Sequence, residues 1–149
     1  MKPSVRLLLC GFLPALIGFG MSLLLHNYRA SGQTWAALGL FGPLFWFFTG
    51  RKLHTGRIPL WQSTLLVHLP ALVAWCLALY QILLRGSWFP SALGAVSQQF
   101  FLPFLTPAFA LTAALPGNSL WPAFTAAFLM MPLCFYLGGL AKGKRYQMT

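Results

Sequence analysis

The chain has 149 residues, 58% of them hydrophobic, with ten Lys or Arg against no Asp or Glu and a mean hydropathy of +0.73. Without a side-chain carboxylate, carboxylate-bound Ca²⁺ or Mg²⁺, Asp/Glu proton relays, aspartyl chemistry and Ser-His-Asp triads are all excluded. A soluble domain is about one quarter charged; a charged share of 7% predicts instead an all-α, polytopic membrane protein.

Lys2 and Arg6 precede an uncharged run over residues 7–25. About 20 residues at 1.5 Å each cross a bilayer core, so this run predicts a first transmembrane helix. It exceeds the roughly 7–15 residues of a signal-peptide core, which favours a retained helix. The string Leu7-Leu8-Leu9-Cys10-Gly11 lacks the small residue that a lipoprotein cleavage site needs before its cysteine. Residues 31–49, apolar from Trp35 onward, predict the second helix. Residues 64–84 predict the third, with His68 and Gln81 as its strongly polar members. Residues 119–141 predict the fourth, entered through the turn Pro116-Gly117-Asn118-Ser119, with Asn118 or Ser119 as N-cap and Pro122 in the first turn.

Positive residues collect on the cytoplasmic side of membrane proteins. Four crossings with the N-terminus inside place Lys2, Arg6, Arg51, Lys52, Arg57, Lys142, Lys144 and Arg145 within, and only Arg29 and Arg85 outside. The stretch 86–118 contains a fifth apolar run, 100–115. Were that run to cross, the last three basic residues would change sides and the bias of eight to two would become five to five. Pro103, Pro107 and Pro116 also suit a continuous helix poorly, since each removes a backbone donor. The expectation is therefore four transmembrane helices, both termini in the cytoplasm, and an external re-entrant or interfacial segment between the third and fourth.

The chain reads as a single transmembrane domain over 1–149, with a sign of duplication. Leu13-Pro14-Ala15-Leu16 recurs as Leu69-Pro70-Ala71-Leu72, and Pro43-Leu44 matches Pro132-Leu133 at a larger shift. Two parallel copies, 1–57 and 60–149, with an insertion near 86–118, account for both shifts. Pro14, Pro43, Pro70, Pro122 and Pro132 predict kinked helices, read as bundle shaping rather than gating. Gly11, Gly18, Gly20, Gly39, Gly42, Gly138 and Gly139 permit close helix contact, although none forms a GxxxG pair within one helix.

His68 and Gln81 mark a polar site inside the membrane. For His68, an interhelical hydrogen bond, or one to Thr64 a turn earlier, is preferred over a proton carrier or haem ligand. Cys10, Cys76 and Cys134 stand in three different helices without a CxxC, which reads as apolar packing. Arg29 and Arg85 lie at the outer ends of the first and third helices, where lipid phosphate or water supplies the counter-charge; an anion contact to a headgroup or a partner's carboxylate is the functional alternative. Around them, Trp88, Phe100, Phe101, Phe104 and Trp121 predict an aromatic outer surface for lipid or a partner protein. The inner basic clusters face anionic lipid rather than nucleic acid.

No catalytic residue, metal or cofactor is expected. The expected function is that of a non-enzymatic accessory, regulatory or protective subunit in the plasma membrane, in contact with lipids and with another integral membrane protein or a second copy. The alternative is a small oligomeric transporter or channel for an anionic or amphipathic solute.

Overall fold

The computed structural model describes residues 2–27, 32–54, 58–86, 92–114 and 120–146. These residues are all-α. Pro3–Cys10 (α1) and Leu13–Asn27 (α2) are two parts of one broken helix; Gly32–Leu53 (α3), Leu60–Leu79 (α4), Ala92–Gln99 (α5), Leu102–Thr112 (α6) and Trp121–Tyr146 (α7) follow. Among the described residues, three helices are long and apolar enough to cross a membrane: 3–24, 60–85 and 121–142. Together they mark a multi-pass membrane protein. Helix α3 has sufficient length, 22 residues, but Gln33 and Thr34 at its start and Arg51 and Lys52 in its last turn dilute its apolar middle.

Pro14 explains the break between α1 and α2. It has no N–H for the Cys10 carbonyl, so the chain tightens through Gly11 and Phe12, where Phe12 N–H donates to Leu9 O at 3.2 Å. Pro70 and Pro132, by contrast, lie inside uninterrupted helices. Pro122 falls in the first turn of α7, as its missing donor allows. The proposed turn at 116–119 lies outside the described residues.

Contacts fix the helix directions. Trp46 meets Phe135 and Lys142 meets the His54 carbonyl, so α3 and α7 run the same way. His68 meets Phe135 and Trp75 meets Phe128, which sets α4 against α7. Gly11 of the first helix packs on Val67 and Pro70 of α4. One end of the bundle therefore gathers the start of α1, the end of α3, the start of α4 and the end of α7. The opposite end gathers the end of α2, the start of α3, the end of α4 and the start of α7.

Helix α4 presents Val67, Ala71, Ala74 and Ala78 inward, each at most 6% exposed, and its small side chains admit the neighbouring backbones closely. Larger side chains fill the centre: Trp46, Phe101, Phe104, Phe124, Met131 and Phe135. The outward faces carry Leu16, Leu40, Leu65, Val73, Leu84 and Leu129, all more than half exposed. In water so continuous an apolar surface would drive aggregation; against acyl chains it is matched.

The segment after α4 forms a helical hairpin inserted into the bundle. Helix α5 starts beside Gln81, near the end of α4, and finishes with Gln99 against Gly18 of α2. The chain turns at Phe100 and Phe101, and α6 returns along α3, with Pro103 against Gly42 and Thr106 against Gly39. Gly42 is the midpoint of α3, so the hairpin penetrates about half the bundle's height before reversing. The turn precedes Pro103, which cannot donate to the Gln99 carbonyl; Pro107 likewise leaves the Pro103 carbonyl without its helical donor. Those two carbonyls are the groups that lie on the bare Cα surfaces of Gly18 and Gly42.

Candidate functional site

The inserted hairpin brings together a buried polar cluster. The end of the long helix over 60–85, Tyr80–Arg85, widens to a π-helical turn and ends at Gly86, whose φ of 60° lies in the left-handed region that glycine enters without strain. The turn keeps Gln81 on the inner face, 6% exposed. Gln98 Nε2 donates to Gln81 Oε1 at 2.9 Å, Gln81 Nε2 donates to Ser97 Oγ at 3.3 Å, and Ser97 Oγ donates to the Gly94 carbonyl at 2.9 Å. Gln99 Nε2 approaches Ser22 Oγ of α2 at 3.5 Å. One group in this network is left over: Gln98 Oε1 is buried with no partner. A buried amide oxygen without a donor is costly, and such an exception calls for an explanation.

A second polar site lies in the other half of the bundle. Trp46 Nε1 donates to His68 Nε2 at 2.8 Å, and His68 Nδ1 lies 2.6 Å from the Thr64 carbonyl. The tryptophan can only donate, so Nε2 is the acceptor and Nδ1 carries the proton to Thr64. Both hydrogen bonds weighed for His68, across helices and to Thr64, are made at once. The rings of Trp46 and Phe135 enclose the imidazole, with centroids at 5.7 and 5.6 Å. A histidine with both nitrogens occupied and aromatic walls is set for fixing α4 to α3.

The aromatic outer surface needs correction. Phe100, Phe101 and Phe104 are 4%, 0% and 1% exposed and belong to the core, with Phe101 edge-on to Phe124. A bend that inserts into a bundle needs bulky apolar side chains at its tip, and these three fill that role. Trp121 is exposed at the start of α7, as an interfacial tryptophan would be. Arg85 is exposed as well; its Nε donates to Tyr80 Oη at 3.3 Å and its guanidinium stands 5.9 Å from that ring. Arg29 and Trp88 lie outside the described residues. Cys76 is exposed on α4, whereas Cys10 and Cys134 are half-buried, so apolar packing in a core does not describe all three cysteines.

Sequence reading missed Ser97, Gln98, Gln99, Ser22 and Trp46. The signal was present as Ser97-Gln98-Gln99, three polar residues in a row inside an otherwise apolar stretch, but the adjacent phenylalanines drew the weight. At the end that gathers the start of α1 and the end of α7, Lys142 Nζ donates to the His54 carbonyl at 2.7 Å, and His54 Nδ1 is buried without a partner. Partial burial, then the Lys142 charge, hold the His54 imidazole below its ordinary pKa. Among the described residues, no three His, Cys, Asp or Glu side chains converge on a possible metal site. No protein-family model, curated protein or solved structure matches the chain.

Proposed function

We propose that the chain is a non-enzymatic accessory subunit of the plasma membrane, with α3 as a fourth crossing, both termini in the cytoplasm and the α5–α6 hairpin as a re-entrant element from the outer side. The observation that carries this reading is the filled interior: Phe100, Phe101 and Phe104 of the hairpin pack with Trp46, Phe124 and Phe135 into one core. A bundle closed on itself in this way offers its outward faces and its two ends for recognition. The excess of positive charge, +10 with no internal acid, suits an acidic partner or anionic lipid as the source of counter-charge. Native mass spectrometry after gentle extraction from the original membrane tests the reading. A stoichiometric, different subunit is expected; a clean homo-oligomer contradicts it.

The buried Gln81–Ser97–Gln98 network favours a second reading, transport by an oligomer. Re-entrant hairpins that carry polar groups into the membrane line solute paths in transporters and channels. Protein-dependent flux of an anionic or amphipathic solute into liposomes, lost with Gln98→Leu, would favour transport over the accessory role.

A further inference from the structure

The first long helix changes partners at its break. Up to Gly11 it packs on α4, where the Gly11 backbone meets the Val67 carbonyl and the Pro70 ring. Beyond Phe12 its outer half, α2, packs on α5 and α6 of the hairpin. That seam is narrow. On the described part of α2, Pro14, Gly18 and Met21 are buried in a single stripe at helical spacing, while Leu16, Phe19, Leu23 and Leu24 are each at least half exposed. Gly18 has no side chain to interlock with the Gln99 carbonyl and the Pro103 ring that face it. The contact between Gln99 Nε2 and Ser22 Oγ, at 3.5 Å, stands at the limit of a hydrogen bond. By contrast, α3 and α7 lock together through large buried rings, Trp46 and Phe135.

Inside a bilayer the hydrophobic effect does not oppose the parting of two helices, because acyl chains replace the apolar neighbours. What holds α2 is therefore the packing of its stripe and one long hydrogen bond. The break supplies a pivot. Pro14 has no N–H for the Cys10 carbonyl, and the chain passes from α1 to α2 through the tighter bond from Phe12 N–H to Leu9 O at 3.2 Å. Behind α2 lies the polar edge of α5: Gln99, whose carbonyl Pro103 deprives of its helical donor, and next to it Gln98 of the Gln81–Ser97 cluster. We propose that α2 is a lateral gate, hinged at Gly11–Phe12, which swings into the lipid and uncovers this edge of the hairpin while α1 stays on α4. The gate rests on the packing of the first helix and on neither functional reading.

Double electron–electron resonance on the full-length protein in lipid nanodiscs, with Cys10, Cys76 and Cys134 replaced by serine or alanine, tests the gate. Spin labels on Leu23→Cys and Leu129→Cys, both exposed positions, report α2 against α7; labels on Val5→Cys and Leu140→Cys report α1 against α7. The α2 pair should show two distance populations and the α1 pair one. Pro14→Ala returns the missing donor and should leave a single α2 distance. Gly18→Ala, whose added carbon meets the Gln99 carbonyl, should shift the α2 pair towards the longer distance. A single wild-type α2 distance, as narrow as that of α1, would overturn the gate. Two populations that persist with Pro14→Ala would overturn it as well, because the motion would then not turn on the break.

Discussion

Trp46 and His68 illustrate how a single polar pair is tolerated in an apolar core. Each nitrogen of the imidazole has one partner, so removing the donor alone strands an acceptor. Trp46→Phe should destabilise the protein by about 1–3 kcal/mol, whereas the double variant with His68→Leu should recover part of that loss, because removal of both partners leaves nothing unsatisfied. Thermal unfolding in detergent measures both; equal destabilisation by the single and double variants would contradict the pairing. His54 behaves differently, since burial and Lys142 lower its pKa in the folded state. Below its ordinary value of about 6.5 the unfolded chain binds the proton more readily than the folded one, so stability should be full above pH 7 and fall as the pH drops through that value. His54→Gln should flatten the decline between pH 7.5 and 5.5; an unchanged slope would assign it to another group.

At the scale of elements, the long apolar runs were legible because length and composition alone decide whether a helix matches a bilayer. Their breaks were legible where proline removes a donor with no neighbour to take its place, as at Pro14. The hairpin was only half legible. Pro103 and Pro107 argued against one straight crossing over 100–115; the turn does precede Pro103, while Pro107 lies inside α6, and the packing of the hairpin depends on Gly18 and Gly42, which lie far away in the chain and form no local motif. Glycine spacing within one helix was the wrong signal, because Gly11, Gly18, Gly42, Gly50 and Gly138 each answer a carbonyl from another element. Gly18→Ala should therefore destabilise by about 1–3 kcal/mol, since its new Cβ meets the rigid Gln99 backbone, while Gly20→Ala, with nothing within 4 Å of the added carbon, should be tolerated. Comparable losses for the two variants would remove the close α2–hairpin contact from the account.

For the molecule as a whole, the absence of acid residues separates what holds it together from what it meets. Among the described residues, cohesion comes from aromatic packing, small-residue contacts and neutral amide and imidazole hydrogen bonds, with Lys142 and Arg85 bonded locally to the His54 carbonyl and Tyr80, and no side-chain carboxylate neutralises the ten cations. The polar site was only partly legible: His68 and Gln81 stood out as isolated polar residues in long apolar runs, but their partners, Trp46, Ser97 and Gln98, come from elements that only the tertiary fold brings near. Phe100, Phe101 and Phe104 were misplaced on the outer face for the same reason, since hydrophobic content does not say whether a phenylalanine packs inward or outward.

The topology on which the account turns is a hairpin that enters and leaves by the side opposite to both termini. Membrane-impermeant maleimide labelling, after Cys10, Cys76 and Cys134 are replaced by serine or alanine, addresses it with single cysteines at Lys52, Gly86 and Ala114. The account predicts that Gly86→Cys and Ala114→Cys label from one side of the membrane and Lys52→Cys from the other. If Ala114→Cys instead labels with Lys52→Cys, residues 92–114 cross the membrane and the re-entrant hairpin is wrong.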